Sequence, residues 1–238
     1  MGTSLTGKRI IVTGGAGALG QAVVRQLIGL GAECYVPCGN TRHANTISQL
    51  DPQLVHAISN IDLTKEDLAS KFFADVAANG HLWASIHIVG GFLFAPILDT
   101  TLDQFRRQFE MNAVTAFLCS REAIRHFRKQ GQGGRILNVT ARPALEPRTG
   151  SGMIAYTASK SAVATMTELL GEEVAKERIW VNAIAPSIMD TPANRAAMPD
   201  APFDQWVKVE DVASTISFLV SPENNCVRSG LIPVYGGL

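Results

Sequence analysis

Residues 8–13, KRIIVT, form a short β-branched run that stops at glycines, GGAGALG, and gives way to apolar positions at Leu19, Val23, Val24, Leu27 and Leu30. The first run fits a buried strand, and spacings of three and four put the later positions on one face of a helix. A strand turning tightly into a helix opens a crossover unit, and crossover units build parallel sheets. Gly15, Gly17 and Gly20 satisfy G-x-G-x-x-G in that context. Such glycines let the backbone turn sharply and approach a pyrophosphate at the positive end of a helix. An ordinary glycine-rich β-α turn has the same composition, so the motif gains meaning only from the rest of the chain.

The pattern repeats along the chain. Strands are expected at 33–38, 54–58, 83–89, 134–140, 180–185 and 231–235, and helices at 64–78, 101–128, 156–176 and 209–220. Strands alternating with helices through short loops specify an α/β fold, here a Rossmann-type, doubly wound, seven-stranded parallel sheet with helices on both faces. No linker, repeat or low-complexity block interrupts the series, so residues 1–238 read as a single domain.

Charge and hydropathy narrow the partners. Lys plus Arg equals Asp plus Glu at 21 each, and no dense basic run is present, which removes the electrostatic basis for binding nucleic acid or an anionic membrane. The longest largely apolar run, 86–98, is too short to span a bilayer and contains two glycines and a proline. A cytoplasmic protein acting on a small molecule is expected. Cys34, Cys38, Cys119 and Cys226 are scattered, so reduced thiols are expected. Cys34 and Cys38 share one strand face, but no further ligand stands at metal spacing nearby, and no metal is expected. His87, inside an apolar strand, reads as a packed side chain.

Tyr156 and Lys160, in YTASK, lie one helical turn apart, so both side chains leave the same face. A neighbouring ammonium stabilises the phenolate and should pull the tyrosine pKa from about 10 toward neutrality, letting it donate or accept a proton near pH 7. A solvated Lys beside a half-buried Tyr would show the same spacing. Asn112 stands in the middle of the expected helix 101–128, although Asn is a poor helix-interior residue.

Glycine loop, Asn112 and YTASK occur in the order used by one enzyme family, and the chain resembles the short-chain dehydrogenase/reductases from residue 8 to residue 237. The resemblance implies NAD(P)H-dependent hydride transfer to a small carbonyl, quinonoid or conjugated substrate. It implies Tyr156 as acid, Lys160 lowering its pKa and holding the nicotinamide ribose, and Asn112 completing a proton relay through water. Cofactor contacts would come from Gly14, Gly15, Gly17, Leu19 and Gly20, from Asp62 and Leu63 at the adenine edge, from Gly90, Tyr156 and Lys160, and from Pro186, Ile188 and Thr191 beside the carboxamide. Asp62 could equally cap the following helix. Cys38 occupies the position of the acid that would favour NAD, and Asn40, Thr41 and Arg42 could donate to a 2′-phosphate. NADP(H) is therefore favoured over NAD(H). Association of the two longest helices into a homodimer or homotetramer is also implied.

Departures from the family pattern are specific. Its usual loop is T-G-x-x-x-G-x-G; Thr13, Gly14 and Gly20 fit, and Ala18 replaces the middle glycine. The usual N-N-A-G is Ile88-Val89-Gly90-Gly91, and Ala141 stands where the catalytic serine is expected. Only Thr140 offers a hydroxyl nearby, and strand alternation would point it to the opposite face unless the chain bulges. The loop at 14–20, the aromatic after Gly91 and the GMIAY ending at 152–156 are also similar to quinonoid dihydropteridine reductases, which lack the serine. A quinonoid ring spreads the charge that a ketone would concentrate on oxygen, so it needs fewer donors. The segment 192–206, where the family's substrate lid lies, is short. Phe92, Phe94, Met153, Met189 and Trp206 are candidate pocket walls. Two rival readings stand beside the reductase: a dihydropteridine-reductase-like enzyme, or a non-catalytic dinucleotide-binding sensor or scaffold.

Overall fold

Ile10 and Val12 turn to one side of their strand and Ile11 to the other, and all three are fully buried. A strand covered on both faces belongs inside a parallel sheet with helices above and below. In the computed structural model, which describes residues 4–237, the main strands are β1 (Arg9–Thr13), β2 (Glu33–Pro37), β3 (Val55–Ile58), β4 (Leu82–His87), β5 (Gly134–Val139), β6 (Ile179–Pro186) and β9 (Leu231–Val234). They form one seven-stranded sheet in the order β3-β2-β1-β4-β5-β6-β9, with every pair parallel. The chain winds outward from β1 through β2 to β3, then returns to place β4 on the other side of β1. Ligands of such sheets bind where the winding reverses, at the carboxyl ends of β1 and β4.

One face of the sheet is covered by α1 (Ala18–Gly29), α2 (Thr41–Ser48) and α9 (Val209–Val220), which bury Leu19, Val23, Leu27, Ile47, Val212 and Ile216. The other is covered by α3 (Glu66–Ala78) and α5 (Thr115–Gln130), through Phe72, Phe73, Val76, Leu118 and Phe127. Phe73 and Phe127 are almost wholly buried, and each such ring contributes on the order of 2–3 kcal/mol of transfer free energy. The long helix α7 (Ile154–Glu173) packs on β6 and carries the YTASK turn at its start.

The expected helix at 101–128 is interrupted. α4 (Leu102–Phe109) begins at a Thr101/Gln104 capping box and runs into a π-helical turn, Glu110–Val114, before α5 continues. Asn112 lies in that turn. β4 stops at His87 rather than 89, because the amides of Ile88 and Val89 both donate to Thr13 Oγ1 at 3.1 and 3.2 Å. Beyond β5 the chain forms a short helix, α6 (Arg142–Leu145), and a 3-10 turn, Pro147–Gly150. The expected lid, 192–206, holds α8 (Pro192–Ala197) and is flanked by a two-stranded ribbon, β7 (Met189–Asp190) with β8 (Val207–Lys208). Among the described residues no helix is long and apolar enough to cross a membrane.

Candidate active site

The glycines after β1 are required by space as well as by motif. Gly14 has φ +70, and a side chain there would meet the Val89 amide nitrogen at 2.8 Å. A Cβ on Gly20 would fall on the Gly14 carbonyl, and one on Gly15 would lie 2.7 Å from Val36 Cγ1. Gly17 donates its amide to Gly14 O at 3.0 Å and precedes α1 without any side-chain cap. The first-turn amides of α1 are thus free of a side-chain acceptor, the arrangement in which a helix N-terminus takes an anion. Ala18 is exposed at that terminus, so the residue in place of the family's middle glycine lies at the surface and not in the core. Leu19 is buried in the core, where it anchors the helix.

At the end of β4, Gly91 is clamped by Asn112. The Gly91 amide donates to Asn112 Oδ1 at 2.9 Å, and Asn112 Nδ2 reaches Gly91 O at 3.1 Å and Ser159 Oγ at 2.9 Å. Gln108, one turn earlier and buried, offers Oε1 to the same amide at 3.3 Å. The π turn lets one residue stand where a regular helix would not place it, a distortion often found at functional sites. A Cβ on Gly90 would sit 2.5 Å from Asn112 Oδ1 and 3.2 Å from Lys160 Nζ, so these three residues meet at one point. Lys160 is buried and donates to Val139 O at 2.8 Å, at the carboxyl end of β5. Tyr156 is half-buried, its ring edge-on to Phe92 with centroids 5.1 Å apart.

A family model described as short chain dehydrogenase matches residues 8–202. The chain belongs to the short-chain dehydrogenase family. It is 30% identical to a short-chain type dehydrogenase/reductase of Picea abies, the match covering 98% of this chain and 93% of that protein. An NADPH-dependent aldehyde reductase-like protein of Arabidopsis thaliana is 30% identical, over 98% of this chain and 94% of the other. The structure of a short-chain type dehydrogenase/reductase from Mycobacterium ulcerans superimposes with a TM-score of 0.89 at 25% identity, covering 98% and 90% of the two chains. The chain is accordingly an oxidoreductase of the short-chain type.

Within this dehydrogenase the Tyr156 pKa is moved by burial and not by the expected effect of Lys160. Burial pushes the Tyr156 phenol up to about 12 and the Lys160 amine down to about 8. In both groups the cause is loss of hydration, which disfavours the charged form, and the ammonium is directed to the Val139 carbonyl. Thr140 does not stand in for a serine at 141: its hydroxyl donates to Lys160 O at 2.7 Å, holding α7 to the end of β5. Ala141 is buried with extended backbone and begins α6.

Other candidates divide between site and scaffold. Asp62 accepts from the amide and hydroxyl of Thr64 at 3.0 and 2.8 Å; these bonds hold its carboxyl below the usual carboxylate range and tie it into the turn before α3. Leu63 is buried in the second core. Asn40 caps α2, its Oδ1 accepting from the His43 amide at 2.9 Å, while Arg42 beside it is exposed. Pro186 ends β6, Ile188 is partly exposed, and Thr191 caps α8 by accepting from the Asn194 amide at 3.2 Å. Of the expected walls, Trp206 is buried against Phe203 and Phe94 lies over Gly152, whereas Phe92 stays at Tyr156. Sequence reasoning gave Gln108 and Ser159 no part and Thr13 only a place in the loop motif. Ser159 donates to Tyr156 O at 2.7 Å and accepts from Asn112, and its only signal was its place inside YTASK.

Proposed function

We propose that this oxidoreductase transfers hydride between a nicotinamide dinucleotide and a small carbonyl or conjugated substrate, with Tyr156 as the proton donor. The observation that carries the reading is the meeting of Lys160 Nζ, the Asn112 carboxamide and the bare backbone of Gly90, four residues along α7 from Tyr156. The residues present fit a dinucleotide: the α1 amides lack a side-chain cap, and Gly17 and Ala18 leave that helix N-terminus exposed. Gly14, Gly15, Gly17 and Gly20 would hold the pyrophosphate, and Gly90 and Lys160 the nicotinamide ribose. When bound, the nicotinamide supplies the hydride.

The chain's own residues manage the proton. The Tyr156 phenol, kept neutral by burial, donates to the substrate oxygen as charge develops there. Lys160, held to Val139 O, stands one turn away to relay a replacement proton, and Asn112 connects it toward solvent. A neutral phenol suits reduction; oxidation of an alcohol needs the phenolate and should gain rate as pH rises. With Thr140 engaged and alanine at 141, Tyr156 is the one side-chain donor assigned to the substrate oxygen.

NADPH is the favoured cofactor. No carboxylate stands at Cys38, whose thiol burial pushes up to about 11, and Arg42 is exposed at the start of α2. The Arabidopsis relative's name, NADPH-dependent, supports the same preference. Assembly into a homodimer or homotetramer is part of the proposal, because Phe117 on α5 and Leu169 on α7 leave 45% and 65% of their surface in water. A monomer in sedimentation velocity would refute it.

The test is oxidation of NADPH and NADH with aldehydes, ketones, quinones and quinonoid dihydropterin, against Tyr156→Phe. Removing a general acid of this kind costs roughly 10²- to 10⁴-fold in turnover. Turnover confined to the dihydropterin would favour the dihydropteridine-reductase-like reading. Tight cofactor binding with no turnover of any acceptor would make the protein a sensor or scaffold.

A further inference from the structure

Phe92 is a large apolar ring left 64% exposed, yet its position is fixed. One residue before it, Gly91 is bonded through both amide and carbonyl to Asn112. Three residues after it, the Ala95 amide donates to Gly152 O at 2.9 Å, and Ala95 bridges Met153 in parallel register. Phe92 therefore sits on a strap pinned at both ends. Its ring meets Tyr156 at 74° in a T-shaped pair, 5.1 Å between centroids, and most of the rest of its surface is in water. Phe94, equally exposed, is turned to Gly152 instead.

A substrate receiving the Tyr156 proton must bring its oxygen within hydrogen-bond distance of the phenol, which places its carbon frame against the uncovered side of Phe92. A ring held rigidly with one side bare is complementary to a flat π-system and poorly complementary to a puckered or heavily hydroxylated one. The neighbouring donor set agrees. Thr140 is engaged and residue 141 is alanine, so a polyol would find few partners for its hydroxyls.

We propose that Phe92 is a specificity-determining residue that selects planar, conjugated carbonyl compounds, an aryl aldehyde being the simplest, by stacking beside the Tyr156 phenol. This rests on the reductase reading above. In the reaction the carbonyl carbon takes the hydride of the reduced nicotinamide, the oxygen takes the phenol proton, and the products are the aryl alcohol and the oxidised cofactor.

The experiment compares benzaldehyde with cyclohexanecarbaldehyde, which has the same ring size and reacting group but a puckered frame. It uses the full chain and the variants Phe92→Ala and Phe92→Leu. Aromatic pairing beyond area burial is worth roughly threefold to tenfold in binding, so kcat/KM should favour benzaldehyde by about tenfold in the parent chain. The preference should vanish in Phe92→Ala and fall to about threefold or less in Phe92→Leu, mainly through KM. Equilibrium binding of benzamide and cyclohexanecarboxamide, which are not reduced, is followed in parallel by calorimetry. Preferential binding of benzamide that Phe92→Ala removes, without turnover of either aldehyde, upholds the role of Phe92 and refutes the reductase reading. Turnover with the same aldehyde preference in all three proteins overturns the role of Phe92 and leaves the reductase reading standing.

Discussion

His87 makes acid stability a test of how the sheet is sealed to α5 and α7. It is buried on β4; Nδ1 lies 2.8 Å from Asn138 Oδ1 and Nε2 lies 2.8 Å from Ser85 Oγ. Asn138 Nδ2 in turn donates to Thr167 Oγ1, and Thr167 donates to Val163 O on α7. This chain suits a neutral imidazole that donates through Nδ1 and accepts at Nε2. Burial lowers the folded-state pKa to about 4, opposed by the Asn138 bond, against 6.5 for the free side chain. Between those values the unfolded chain binds the extra proton and the folded one does not. Stability present above about 6.5 is therefore lost as pH falls toward 4. At pH 4 the loss from this one group reaches about 3 kcal/mol at roughly 1.4 kcal/mol per unit. Urea unfolding at pH 7 and pH 4, of the parent and of His87→Gln, isolates it, because the carboxylates titrate in both proteins. The variant should be weaker at pH 7 by about 1 kcal/mol yet lose about 3 kcal/mol less on acidification. Parallel losses would refute the neutral, buried imidazole.

Gly14→Ala, strained at φ +70 and pressed on the Val89 amide, should destabilise by about 1–3 kcal/mol and weaken cofactor binding, read by thermal melts with and without NADPH. Arg42→Ala should raise KM for NADPH about tenfold and leave KM for NADH within about twofold; equal changes would remove Arg42 from 2′-phosphate recognition. Ser159→Ala removes the link between Asn112 and the first turn of α7, and should lower kcat about tenfold at unchanged KM; a change in KM alone would contradict a positioning role.

Seven strands and their alternation with helices were legible because β-branched runs and apolar spacing act locally. The expected strand bounds differ from the observed ones by a residue or two, and β4 shows why. Its last two expected residues are apolar enough for a strand, but the Val89 amide turns to Thr13 Oγ1 and the Ile88 amide is shared between that hydroxyl and Thr13 O. At the site, Tyr156, Lys160, Asn112 and Gly90 could be named from motif order. Their electrostatics could not, because spacing gives proximity along a helix and says nothing of burial. Asn40 and Asp62 show the same limit from the other side. Short polar side chains next to helix starts satisfy backbone donors first, and the sequence of either residue looks the same in both roles.

The π turn at 110–114 carries a consequence for how this chain can change in length. Such a turn accommodates one residue more than a regular turn, so a deletion inside it would leave α4 and α5 as one unbroken α-helix with better backbone geometry. Because the extra residue adds no net rotation, every residue from Thr115 onward would keep its phase about the axis. Phe127 and Ile124 would stay in the core, whereas Asn112, inside the turn, would lose Gly91. A missing residue here would thus produce a more regular helix in the same phase, with the Asn112 contacts dismantled. A deletion in this segment should therefore spare stability and cost the geometry around Gly91.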